Sequence, residues 1–264
     1  MIEFQHMAAA LYLAAGVGAI LGLVLPAPRV LRGACWGLGL GALAQAAAFA
    51  TLHRLDSAPA LTDLGQSIAV MTWLSVLFTL ALLYRYRLPG FVPPLAFAAF
   101  LSAFGATLAS PELAGSGDTV GSIPHAHVLL ASAGFAALGI AGLAGTFFLV
   151  EPRSLKRRQS LAGRRSLPLP SLETLDQVNR IALVLGFPLL TLGVLTGSLW
   201  LDARSGQLFS GSLHEASTLI AWTIYLGLVV ARFAGRQGSR QAAASAVAGF
   251  TFLLFAVLGV GLVS

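Results

Sequence analysis

The sequence predicts an all-α integral membrane protein, a polytopic bundle of about eight transmembrane helices with both termini outside. Three observations predict it. Of the 264 residues 57% are hydrophobic and only 10% charged, with a mean hydropathy of +0.84, whereas a soluble domain carries about 25% charged residues to solvate its surface. Eight apolar runs are long enough to cross roughly 30 Å of hydrocarbon, which takes about 20 helical residues. All basic residues but two fall in the connections on one side. A water-soluble enzyme, a nucleic-acid binder and a disordered chain are excluded on these grounds. The net charge of +6, suggestive of nucleic acid in a polar chain, here orients the spans.

The runs follow in order. Met1-Ile2-Glu3-Phe4-Gln5-His6 lacks the positive n-region of a secretory signal, and no small-residue cleavage site follows, so the run 7–25 is expected to stay as span 1. Pro26 and Pro28 separate it from span 2, 34–53, which holds Cys35, the only cysteine. One cysteine allows neither a disulfide framework nor a cysteine metal site, and no C-x-x-C-H haem-attachment motif occurs. Span 3, 63–84, follows Pro59, and span 4, 91–109, is bounded by Pro89-Gly90 and Pro111. Gln45 and Gln66 in spans 2 and 3 either line a cavity or bond to neighbouring helices. Span 5, 126–150, carries Gly139, Gly142 and Gly145, a spacing that lets helices approach closely, and ends before Pro152.

The connection 151–179 begins with a basic run, Ser154 to Arg165, of the kind that lies against anionic headgroups. It continues as Ser171 to Asn179, with Leu172, Leu175 and Val178 at helical spacing, which predicts a short interfacial helix. Spans 6, 7 and 8 are expected at 180–201, 214–233 and 242–262, separated at Ser210-Gly211 and Gly235. The whole reads as a single membrane domain, with four spans in 1–110 and four in 125–264.

Charge orients these spans. Arg29 and Arg32, Arg85 and Arg87, Arg153 through Arg165 with Arg180, and Arg232, Arg236 and Arg240 fall in alternate connections; only Arg54 and Arg204 lie opposite. The positive-inside rule places the first group in the cytoplasm, and the chain is expected in the inner (cytoplasmic) membrane. All five histidines then fall on the outer side: His6, His53, His125, His127 and His214. Imidazoles tolerate an interface without any function, and they are also the commonest metal and haem ligands. No acidic pair or cysteine cluster accompanies them, which favours haem over a hydrolytic zinc. His125 and His127 point about 200° apart around a helix, so only one faces a given pocket. On span 7, His214, Thr218, Trp222 and Tyr225 share a stripe that places aromatic rings beneath the imidazole or simply packs the helix. Arg54 and Arg204 are either propionate partners or solvated loop cations.

Several ordered motifs carry a family resemblance over the C-terminal half. Pro170-Ser-Leu-Glu173-Thr-Leu-Asp176, Gly186-Phe-Pro-Leu-Leu-Thr-Leu-Gly-Val-Leu-Thr-Gly197-Ser-Leu-Trp200, His127-Val-Leu-Leu-Ala-Ser-Ala-Gly-Phe135 and Glu215-Ala-Ser-Thr-Leu-Ile-Ala-Trp222-Thr-Ile-Tyr225 resemble the cytochrome c assembly protein family. That family includes haem-handling membrane subunits of cytochrome c synthesis and HemX-like proteins. The resemblance implies that His127 holds haem at the outer face. It also shows departures: the tryptophan-rich outer segment that presents haem is nearly absent between Trp200 and Glu215, and Val230 stands where the synthase pattern has a histidine. His214, just before Glu215, is a candidate replacement ligand.

The expectation is a haem-binding membrane protein of the HemX-like branch, holding a b-type haem between His127 and His214, with His125 as substitute for His127. Trp222, Arg54 and Arg204 are expected around the haem. The implied role is cytochrome c biogenesis or modulation of haem synthesis, with the lipid bilayer, haem, and biogenesis proteins or a haem-synthesis enzyme as partners. Two alternatives stand beside it. A non-haem scaffold would recruit a cytoplasmic tetrapyrrole-synthesis enzyme through the basic loop. A transporter of haem or a small solute would need a central ionisable residue, and no span carries one. No nucleophile–base pair marks the chain as an enzyme.

Overall fold

The computed structural model describes residues 2–52, 64–86, 88–108, 122–159, 170–235 and 237–259. The described residues form eight long helices: α1 Ile2–Val24, α2 Pro28–Leu52, α3 Leu64–Tyr86, α4 Val92–Leu108, α5 Ser122–Gln159, α6 Leu172–Ser205, α7 Leu213–Phe233 and α8 Ser239–Leu254. A 3-10 turn, Pro89–Phe91, leads into α4, and a π-helical turn, Phe255–Gly259, extends α8. All eight are long and apolar enough to cross a membrane. The described residues divide into two compact units, α1–α4 and α5–α8.

Two helices overrun their expected ends. α5 continues through Pro152 to Gln159, so the backbone of Arg153–Arg158 is helical. The separate interfacial helix expected at 171–179 is instead the start of α6, one helix of 34 residues. Ser171 caps it, its hydroxyl accepting from the Thr174 N–H at 3.2 Å. Leu175, Val178, Ala182, Gly186, Leu190 and Gly193 form one uninterrupted buried stripe at spacings of three and four. The apolar periodicity seen before Arg180 is that stripe's beginning, while Arg180 itself points outward.

In the N-terminal unit small residues let the helices close up, as they do where no hydrophobic force acts between spans. Ala8, Ala15, Ala19, Ala42, Ala96, Ala99 and Ala103 fill its core around Tyr12 and Leu38. Gly41 receives the Tyr12 ring, where a Cβ would stand 2.7 Å away. The Tyr12 hydroxyl donates to Gln45 Oε1 at 2.7 Å, and Gln45 Nε2 donates to the Ala69 carbonyl at 3.2 Å. Trp73 Nε1 donates to the Ala42 carbonyl at 2.9 Å. Of the two readings of Gln45, bonding to neighbouring helices is the one observed. Gln66 is buried as well, and its Oε1 has no partner.

In the C-terminal unit α5 and α6 run antiparallel. A Cβ on Gly186 would meet Leu138, one on Gly134 would meet Leu190, one on Gly193 would meet Ala131, and one on Gly197 would meet His127. Each step along one helix is matched by the same step back along the other. Gly139 and Gly142 receive Phe250 of α8, and Gly145 receives the Ala243 carbonyl, so the expected close approach at these glycines is that of α5 to α8. Asn179 Nδ2 donates to the Ala141 carbonyl at 2.9 Å, joining α6 to α5.

Candidate functional site

The α5–α6 register brings His127, near the start of α5, against the last turns of α6. His127 Nδ1 lies 2.8 Å from the Gly193 carbonyl oxygen. A carbonyl only accepts, so Nδ1 carries the proton and in the neutral ring Nε2 keeps its lone pair; this is the arrangement by which a ligating imidazole is oriented and made more basic. The Thr196 hydroxyl donates to the same carbonyl at 3.0 Å. Gly197 leaves room for the ring: a Cβ there would stand 2.8 Å from Cε1 and 2.9 Å from Nδ1. On its other neighbour the imidazole stacks with Trp200, centroids 6.4 Å apart at 23°. The exposed Arg204 guanidinium lies 6.0 Å from the Trp200 ring centroid. Gly193, Gly197, Trp200 and Arg204 follow one another at spacings of four, three and four, and so share a face of α6.

His214 is exposed in the first turn of α7. Its backbone is tightly held: Ser217 and Thr218 hydroxyls donate to its carbonyl at 2.9 and 2.8 Å. Ser212 caps α7, accepting from the Glu215 N–H at 3.3 Å. The Glu215 carboxylate reaches back to the Ser210 N–H and hydroxyl, both at 2.7 Å, and to the Gly211 N–H at 3.1 Å. This resembles a capping box in which the carboxylate reaches the two residues before the cap in place of the cap's own N–H. The turn before His214 is thereby fixed.

The remaining expected residues are placed elsewhere. Trp222 packs on α6, stacked on Phe187 at 5.9 Å with Nε1 donating to the Thr191 hydroxyl at 2.9 Å. Eight residues of helix, about 12 Å, separate it from His214. Tyr225 turns to α8, beside Gly249. The stripe read on span 7 thus divides between two neighbouring helices. His125 is half-buried, two residues before His127. Arg54 and His53 lie outside the described residues, and His6 is exposed on α1 of the other unit.

Gly193, Gly197 and Trp200 were missed as site residues by sequence reasoning. Their spacing with Arg204 was the available signal, but only the crossing of α5 gives that face its purpose. Together these groups offer a neutral imidazole with a free Nε2, a second imidazole, an aromatic wall and a cation. Among the described residues no group of three His, Cys, Asp or Glu side chains gathers to cage a bare ion. An imidazole oriented by a backbone carbonyl beside an indole is a donor of the kind that holds an iron already bound in a planar macrocycle.

Comparison with known proteins bears on this site. Residues 38–264 match the model of the family described as cytochrome C assembly protein. The match begins inside α2 and so takes in most of the N-terminal unit, beyond the C-terminal motifs. Among curated proteins, a cytochrome c biogenesis protein CcsA of Synechocystis is 31% identical over 124 residues, 47% of this chain and 36% of that protein. Those of Nostoc punctiforme and Microcystis aeruginosa are 32% and 33% identical over 112 and 118 residues, covering 42% and 45% of this chain and 31% and 35% of theirs. The matched stretch thus spans about a third of those relatives. No solved structure matches. The chain, matched over most of its length and folded into eight membrane-spanning helices, belongs to the cytochrome c assembly protein family.

Proposed function

We propose that the protein binds a non-covalent, b-type haem at the outer face of the inner membrane and handles it in cytochrome c biogenesis, in the manner of HemX-like members. The observation that carries this reading is the His127–Gly193 bond, which leaves Nε2 free in a slot of α6 backbone and indole. The relatives' printed role in cytochrome c biogenesis supports it. Haem would supply an iron that binds imidazole nitrogen. His127, through Nε2, and His214 would hold it. Trp200 would wall the imidazole and exclude water, and Arg204 would offer its charge to a propionate, while Trp222 holds α7 to α6 away from the imidazoles. The outer location rests on charge: the connections following α1, α3, α5 and α7 hold most of the arginines, and the His127–His214 end is opposite.

The test is the absorption spectrum of purified protein, oxidised and reduced, after loading with haem. A low-spin Soret and α/β pattern is expected, with His127→Ala and His214→Ala each giving a high-spin spectrum or losing haem. A protein that takes up no haem, or whose spectrum ignores both substitutions, overturns the reading. Dependence of function on the basic run 153–165, with indifference to the histidines, would indicate a scaffold instead.

A further inference from the structure

α7, which carries His214, is the least enclosed spanning helix of its unit. Only 11% of its apolar window is buried, against 56% for α5, and its buried residues are Ala221 and Tyr225. Lipid solvates apolar side chains as well as a neighbouring helix does, so burial of this kind sets neither the axial position nor the rotation of α7. Directional bonds do. Trp222 Nε1 donates to Thr191 Oγ1 at 2.9 Å. Ten residues further on, Arg232 Nη2 donates to both carboxylate oxygens of Asp176, each at 2.7 Å. The Arg232 side chain is 9% exposed and that of Asp176 26%, so the pair is partly withdrawn from water, and breaking it leaves a charge that is costly to leave unpaired. Both partners, Thr191 and Asp176, belong to α6, the helix whose other face receives His127 through Gly193 and Gly197.

We propose that the Asp176–Arg232 pair, aided by Thr191–Trp222, is a positioning device that fixes α7 on α6 so that His214 stands opposite His127. The inference rests on His214 being the second axial ligand. A slip of one residue along α7 moves His214 by about 1.5 Å and turns it by about 100°, enough to remove it from coordination. The ion pair sits at the far end of the helix from the ligand, and acts only through the rigidity of α7.

Two measurements on the full-length protein test it, both in a Cys35→Ala background. In the haem-free protein, spin labels at Ile123 and Leu213, both exposed, report the α5–α7 placement. One narrow distance peak is expected; Asp176→Asn or Arg232→Met loses it, and Asp176→Arg combined with Arg232→Asp regains it. In the unlabelled haem-loaded protein the single variants keep their Soret band through His127, while the high-spin fraction rises about threefold to tenfold, the range set by single polar contacts between spans. The reversed pair brings it back. Thr191→Val, which leaves the ion pair intact, gives a smaller shift in the same direction and serves where a charge variant fails to fold. An unchanged distance peak in folded Asp176→Asn or Arg232→Met protein overturns the inference whatever haem does. A peak lost as expected, with a spectrum that never depended on His214, overturns the ligand assignment instead.

Discussion

At the scale of single residues, the site depends on an atom that is missing. Gly197 gives His127 its place because any side chain there would stand 2.8 Å from the ring, and the ring is held by its Gly193 bond and cannot swing away. Gly197→Ala is expected to cost about 1–3 kcal/mol, the range for overpacking a tight contact, and to reduce haem retention by displacing the imidazole. Thermal unfolding in detergent and the haem-to-protein ratio measure the two effects. Gly227→Ala, with nothing within 4 Å of the new methyl, is the control: alanine there is neutral or stabilises by up to about 1 kcal/mol through helix propensity. Equal behaviour of the two variants would show that Gly197 is no cradle. The five histidines could be picked out from the sequence because imidazole chemistry is rare in an apolar chain, and the family resemblance singles out His127 among them. Gly193 and Gly197 could not, since glycine is common in spanning helices and its meaning lies on the helix that crosses it. Gln45 shows the same limit: two readings were open, and only the positions of Tyr12 and Ala69 close the choice.

Among the elements, α6 departs furthest from expectation. Charge at Arg180 suggested a break, because a polar residue marks the edge of an apolar run. Backbone hydrogen bonding ignores that mark, and the buried stripe from Leu175 onward passes beneath it on the opposite face. One helix of this length has a measurable consequence. Spin labels at the exposed positions Glu173 and Asp202, separated by 29 residues, are expected about 44 Å apart at the helical rise of 1.5 Å per residue. A surface helix joined to a separate span would give a shorter and broader distribution. The existence and order of the eight helices were legible because each apolar run is long and bounded. The overrun of α5 and α6 was not, because helix ends outside the hydrocarbon are set by capping and tertiary contact rather than by hydropathy.

Over the whole molecule, the distribution of arginine makes a claim about sidedness that labelling can check. With Cys35→Ala as background, Gln207→Cys in the α6–α7 turn is expected to react with an impermeant maleimide in intact cells. Gly238→Cys, between α7 and α8, is expected to react only after the membrane is opened. The reverse pattern would move the His127–His214 end to the cytoplasm and overturn the outer-face assignment. Sidedness also touches biogenesis, through the amide at Gln45. α1 is the more apolar of the first two spans, while α2 brings a side chain whose donors and acceptor are costly alone in lipid. The Tyr12 hydroxyl precedes Gln45 in the chain and already waits in the bilayer; the Ala69 carbonyl arrives later, on α3. In chain order, α2 meets the Tyr12 hydroxyl first, which gives Gln45 one of its two bonds, and the third span brings the other. The order of the helices in the chain and the order in which these bonds become available coincide, so α1–α3 can close on one another before α5–α8 are made.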